Sequence, residues 1–216
     1  MRFAILISGR GSNMQALLEA CAATDHPAKP VIVISNKADA AGLAIAESHG
    51  VPTKVISHRD YPSRQAFDDA LHDAIIDSGA EVICLAGFMR LLEAEFVDRW
   101  RDRILNVHPS LLPAYRGLHT HQRVLEDGVR FSGCTVHFVR SEMDEGPIVF
   151  QACVPVRADD TEDALAARVL AWEHKLYPLA LRLMAEGKLR VEGSRVLLDT
   201  PLRVQDGLMS PCPEIA

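Results

Sequence analysis

Apolar residues in the first half of the chain fall into short unbroken runs, separated by stretches in which they recur every three or four positions. Residues 3–7, 31–34 and 82–86 are continuous apolar runs, as strands buried on both faces require, because successive side chains point to opposite sides of a sheet. Between them, Met14, Leu17, Leu18 and Cys21 within 14–23, and Phe67, Leu71 and Ile75 within 63–78, keep to one side of a helix. Ser12 or Asn13 is expected to cap the first helix and Asp39 a second that ends at His49 before Gly50; residues 52–56 read as a short third strand. A helix through Phe96, Val97 and Trp100 leads into a strand that starts at Ile104 and reaches His108. This alternation predicts an α/β fold: an open, mostly parallel twisted sheet of Rossmann-like type with helices on both faces.

The second half reads differently. Residues 134–139 form a strand with Thr135, His137 and Val139 on one side and Val136 and Phe138 on the other. A further strand over 148–156 is expected to run antiparallel to it, because the loop 140–147 is too short for a helical crossover. Thr161 opens the longest helix, which ends near Ala185 and carries Glu162 and Asp163 in its first turn; Pro178 is expected to kink it. Segments 189–191 and 195–198, around Glu192-Gly193-Ser194, predict a terminal hairpin. Residues 1–198 therefore read as a single domain, and 199–216, with three prolines and no periodicity, as a loose tail.

At 216 residues with 48% hydrophobic positions the chain can bury one sizeable core. A net charge of −6 argues against nucleic acid as the main partner and leaves small phosphates open. The five cysteines show no C-x-x-C spacing, so neither a disulfide framework nor a thiolate zinc site is expected, and reduced cytosolic thiols are. The first apolar run stops at Ser8 and no run approaches ~18 residues, so neither a signal segment nor a membrane span is expected, and the cytoplasm is the expected compartment.

In open α/β sheets ligands bind beyond the carboxyl ends of the strands, where three segments of this chain converge. The turn Ser8-Gly9-Arg10-Gly11-Ser12-Asn13 offers close backbone approach and a helix N-terminus to a phosphate. It lacks the third glycine of a dinucleotide fingerprint and the Gly-Lys-Ser/Thr of a P-loop, and the second strand ends in Ser35-Asn36 rather than an acid, so a monophosphate fits better than NAD or ATP. The loop 87–92 is the second segment. The third is the strand end where Asn106 and His108, two residues apart, present an amide and an imidazole on one side, with Pro109 and Pro113 stiffening the exit. His119 and His121 have no carboxylate or thiolate at a recognised ligand spacing, so no metal is expected. One acid among Glu142, Asp144 and Glu145 is expected to approach His108; spacing does not choose among them.

The chain resembles the glycinamide ribonucleotide formyltransferase family of folate-dependent enzymes. The resemblance is carried by Ile7-Ser8-Gly9-Arg10-Gly11-Ser12-Asn13, Ser35-Asn36-Lys37-Ala38-Asp39-Ala40, Leu85-Ala86-Gly87-Phe88-Met89-Arg90, Asn106-Val107-His108-Pro109-Ser110-Leu111-Leu112-Pro113, Gly117-Leu118-His119-Thr120-His121, Val136-His137-Phe138-Val139 and Asp144-Glu145-Gly146-Pro147. It implies a formyltransferase fold and a catalytic trio of Asn106, His108 and Asp144. It further implies a substrate phosphate loop at Gly11, Ser12 and Asn13, and an acid, Glu173, that holds the ribonucleotide. The folate pocket it implies comprises Arg64, Met89, Arg90, Leu91, Leu92, Asn106, Arg140, Ser141, Glu142, Met143 and Asp144. Arg10 and Arg116 depart from the family pattern and put charge beside the pockets.

The implied reaction moves a formyl group from 10-formyltetrahydrofolate, the co-substrate, to the primary amine of glycinamide ribonucleotide in purine biosynthesis, by direct attack through a tetrahedral oxyanion. Its partners are these small molecules, without nucleic acid or membrane, and the protein is a monomer or homodimer. Alternatives are a methionyl-tRNA formyltransferase or a formyltetrahydrofolate hydrolase, whose additional C- or N-terminal domain this length does not accommodate, a non-catalytic folate or nucleotide sensor, and a His-based metallohydrolase.

Overall fold

A computed structural model describes residues 1–199; nearly all of the expected tail lies outside the described residues. The chain opens with strand β1 (Arg2–Ile7), helix α1 (Ser12–Ala20), β2 (Lys29–Ser35), α2 (Gly42–Ser48) and β3 (Thr53–Val55). It continues through α3 (Arg64–Asp77), β4 (Val82–Leu85), α4 (Ala94–Arg99), β5 (Ile104–His108) and α5 (Thr120–Glu126). Then come β6 (Phe131–Phe138), β7 (Ile148–Pro155), α6 (Glu162–Ala185) and the hairpin β8 (Leu189–Glu192) and β9 (Arg195–Leu198). One nine-stranded sheet runs in the order β3-β2-β1-β4-β5-β6-β7-β9-β8. The first five strands in that order are parallel, whereas β6 is antiparallel to both β5 and β7.

Strict alternation along β1 divides the interior in two. Phe3, Ile5 and Ile7 point into a core with Met14 and Leu17 of α1 and Tyr177 and Leu181 of α6. Ala4 and Leu6 point to the other face, against Phe67, Leu71 and Ile75 of α3 and Trp100. Each large side chain so buried contributes roughly 1.5–3 kcal/mol of transfer free energy. A smaller cluster of Val124, Cys134, Val154, Leu165 and Val169 fastens α5 and α6 to β6 and β7. Among the described residues no helix is long and apolar enough to cross a membrane.

Two local expectations change. The N-cap of α1 is Gly11 rather than Ser12 or Asn13, in a left-handed conformation with φ 78°. A Cβ there would lie 2.8 Å from the Gly42 Cα, so the close approach of α1 and α2 demands glycine. Asp39 does not cap α2, whose N-cap is Ala41; the Gly42 amide instead donates to the Gly9 carbonyl at 3.0 Å and ties the helix start to the turn. Helix α6 runs through Pro178 as one continuous element, capped by Thr161, which accepts from the Ala164 amide at 3.2 Å.

Candidate active site

The antiparallel pairing of β5 with β6 sets Asn106 directly across from His137 and His108 across from Thr135. The His137 Nδ1 lies 3.0 Å from the Phe138 carbonyl oxygen, and its Nε2 lies 3.2 Å from Asn106 Nδ2. A carbonyl can only accept, so Nδ1 carries the ring proton and Nε2 accepts from the Asn106 amide. Burial holds the His137 pKa below its ordinary value, and with it the neutral ring this exchange needs. One N–H of Asn106 is thereby fixed and the other is left to donate into the site.

His108 is buried, with its Nε2 2.9 Å from the Tyr115 carbonyl and its Nδ1 3.5 Å from Asp144 Oδ2. The carbonyl assigns a proton to Nε2, so the second proton of an imidazolium sits on Nδ1, on the side of Asp144. The loop that supplies Asp144 leaves β6 level with Leu105 and folds back toward the site. Asp144 adopts φ 58°, accepts from the Gly117 amide at 2.9 Å and brings Oδ1 to 3.9 Å from His137 Nε2. Of the three loop acids it is the one that faces His108: Glu145 pairs with Arg116, and Glu142 accepts from the Ser141 hydroxyl at 2.7 Å. The Thr135 hydroxyl donates to the Ser110 carbonyl at 2.7 Å and accepts from Leu112 N at 3.0 Å, while the Gln151 amide donates to the Leu112 carbonyl at 2.8 Å. This clamp holds the proline-flanked segment that presents the Tyr115 carbonyl.

At the other end of the site, α1 opens at the turn between β1 and α1. Asn13 Nδ2 donates to Glu173 Oε2 at 2.6 Å, joining the turn to the middle of α6. Burial raises the Glu173 pKa, and the Asn13 bond opposes the rise. The Asn13 Oδ1 is buried without a partner. Ser8 donates to Asn36 Oδ1 at 2.6 Å and accepts from Met89 N at 2.7 Å, so the ends of β1 and β2 and the loop 87–92 meet at one hydroxyl. Ser35-Asn36, read above as the absence of a ribose-binding acid, has this structural task.

The residues assigned to a folate pocket are more loosely placed. Arg64 stands exposed at the start of α3, and Met89, Leu91 and Met143 are 64%, 58% and 51% exposed. Leu92 packs against the second core, and Arg90 is half-buried with its Nε unpartnered. The Arg140 guanidinium is turned to Asp102 and to its neighbouring Val139 carbonyl, and Ser141 and Glu142 are exposed. His119 and His121 join no cluster: among the described residues no group of three His, Cys, Asp or Glu side chains is placed to hold a metal ion. Sequence reasoning missed His137 as the partner of Asn106, the Tyr115 carbonyl and the Gly117 amide. A signal for His137 was present, since it shares a strand side with Thr135, but its meaning depends on the antiparallel register.

The family described as formyl transferase matches residues 1–181. The chain is 45% identical over 199 residues to phosphoribosylglycinamide formyltransferase of Escherichia coli (strain K12), covering 92% of this chain and 94% of that protein. It is 48% identical over 196 residues to the trifunctional purine biosynthetic protein adenosine-3 of Bos taurus; this alignment takes in 90% of the chain but only 19% of that much longer relative. Among solved structures, glycinamide ribonucleotide transformylase 1 from Symbiobacterium toebii matches with a TM-score of 0.89 at 48% identity, over 92% of this chain and 93% of that one. The chain belongs to the formyl transferase family.

Proposed function

We propose that this chain transfers the formyl group of 10-formyltetrahydrofolate to the primary amine of glycinamide ribonucleotide, a step of purine biosynthesis. The observation that carries the reading is the placement of two hydrogen-bond donors at one strand end: Asn106, oriented by His137, and His108, whose Nδ1 faces Asp144. The names of the relatives support glycinamide ribonucleotide as the formyl acceptor.

In this reading the amine attacks the formyl carbon, and the carbonyl electrons move onto oxygen. The resulting oxyanion accepts from the Asn106 amide and from the Nδ1–H of His108 as imidazolium, the Nε2–H being held by the Tyr115 carbonyl, a donor arrangement in which a single group is typically worth ~10²–10³ in rate. Collapse of the intermediate breaks the bond from carbon to the folate nitrogen. The proton lost by the amine passes to that nitrogen, with the Asp144 carboxylate balancing the imidazolium and ordering a water that relays it. The ribonucleotide phosphate lies at Gly11, Ser12 and Asn13, where α1 offers its amides, and Glu173 holds the sugar end. The folate ring system lies against the apolar side chains of Met89, Leu91, Leu92 and Met143, with Arg64 and Arg90 toward its carboxylates. The single sheet through all described strands supports reading 1–198 as one catalytic unit. The buried thiols of Cys84 and Cys134 suit a reducing cytoplasm.

The test is disappearance of 10-formyltetrahydrofolate with and without glycinamide ribonucleotide. Turnover only in the presence of the ribonucleotide supports the transferase. Turnover without it favours a hydrolase, and binding of both compounds without turnover favours a sensor.

A further inference from the structure

Helix α6 carries two buried polar side chains one turn apart. Glu173 reaches Asn13 in the phosphate turn. Tyr177 is fully buried, and its hydroxyl lies 3.0 Å from both the Leu85 and the Leu105 carbonyl oxygens. A phenol has one proton, so the two carbonyls share it in a three-centre bond. Buried tyrosines ordinarily find a partner for the hydroxyl; the identity of these partners is what matters. Leu85 is the last residue of β4, at the root of the loop 87–92, and Leu105 immediately precedes Asn106 in β5. One face of α6 therefore touches the phosphate turn, the root of the apolar loop and the root of the strand end that presents the amide.

We propose that Tyr177 is a positioning residue that fixes Asn106, through the Leu105 carbonyl, relative to a ribonucleotide held at Asn13 and Glu173. This rests on the reading of Asn106 as an oxyanion donor. The spacing of Glu173 and Tyr177 on a rigid helix makes α6 a ruler between the bound amine and the donor. Loss of the hydroxyl leaves the ring packed and the substrate contacts untouched, while the ends of β4 and β5, still paired to each other in the sheet, lose the hydrogen bonds that tie them to α6. A misplacement well under an ångström at Asn106 weakens a contact made chiefly in the transition state, so the loss falls on kcat.

The experiment is a kinetic double-mutant cycle with both substrates. Tyr177→Phe is expected to lower kcat about tenfold while the ribonucleotide KM stays within about twofold. In an Asn106→Ala background the same change is expected to have no further effect on the residual kcat. A full additional penalty in that background overturns the proposal, since Tyr177 then acts elsewhere, as does an unchanged kcat for the single variant. If Asn106→Ala itself leaves kcat unchanged, the reading of Asn106 fails instead. Replacing Tyr177 with p-aminophenylalanine restores a donor at the same position and is expected to return kcat to near the wild-type value. Should Tyr177→Phe not fold, this variant decides alone, a folded protein with a tenfold loss overturning the proposal.

Discussion

The proposed phosphate turn and the loop 87–92 lie at the same edge of the sheet but are built in opposite ways. The turn is closed by contact: Gly11 is buried against Gly42, and Asn13 is bonded to a Glu173 that is only 6% exposed. The loop presents Met89 and Leu91 to solvent, and its tie to the turn is the Met89 amide bond to Ser8. A small phosphorylated sugar suits a rigid cradle whose donors are set in advance. A flat aromatic ligand suits apolar side chains that pack only when it arrives. The proposed catalytic cluster stands between these extremes, with Asn106 and His108 on a strand and Asp144 on a loop that folds back to meet them.

The contrast predicts graded effects. The largest belong to the cluster, whose groups are proposed to act only on the transition state: His108→Ala and Asp144→Ala are each expected to lower kcat by roughly 10²–10³ with melting temperatures close to wild type. Near-normal turnover in steady-state assays would remove both from the mechanism. Next comes the cradle. Gly11→Ala places a Cβ 2.8 Å from the Gly42 backbone at φ 78°, where an L side chain is already strained. Ribonucleotide KM is expected to rise at least about tenfold, with a loss of about 2 kcal/mol in denaturant unfolding. An undiminished affinity would mean that the turn is not the phosphate site.

Local periodicity carried much of this architecture. The two-sided runs at β1 and β4 and the helical stripe of α3 are dictated by burial on fixed periods, so they were legible from residues 3–7, 82–86 and 63–78. The turn between β1 and α1 was legible for the same reason, as a strand followed by glycines and a helix. The direction of β6 was not, because a strand's apolar pattern is the same read in either sense, and the partner of Asn106 depends wholly on that direction. The cap of α1 was misread because Ser12 and Asn13 have the right chemistry for capping, whereas the pressure of Gly42 on Gly11, remote in sequence, decides the geometry. Choosing Asp144 from three acids needed the loop's return path, which only Arg116, Ser141 and Gly117 as competing partners make plain.

A smaller effect is expected at the open loop. Met89→Ala and Leu91→Ala remove side chains that are largely exposed, so stability should hold within about 0.5 kcal/mol. Folate KM should rise roughly threefold to tenfold, the scale of a few methylenes no longer buried by the ligand. Equal losses of stability and of affinity would show that the loop is packed before binding and would weaken the contrast with the cradle.

The smallest effect concerns His137, where burial lowers the pKa of the ring that orients Asn106. The groups facing it are Asp144, which favours its protonated form, and His108, which opposes it. Because the folded pKa lies below the unfolded value near 6.5, the unfolded chain binds more protons between the two. Stability therefore rises with pH across that window and is lost as pH falls from 6.5 through the folded value. His58, His121 and His174 are shifted in the same direction, and Asp68, raised to about 6, in the opposite one. These groups remain in a His137→Gln variant and cancel when its melting temperature is subtracted from that of the wild type. The wild type should thus lose about 2–4 °C relative to the variant between about pH 7 and pH 5. A protonated Nε2 can no longer accept from Asn106, so turnover should fall over the same window as the amide loses its orientation. A melting difference that does not change with pH would mean that His137 keeps the same charge folded and unfolded, and that something other than its neutral ring aims the Asn106 amide.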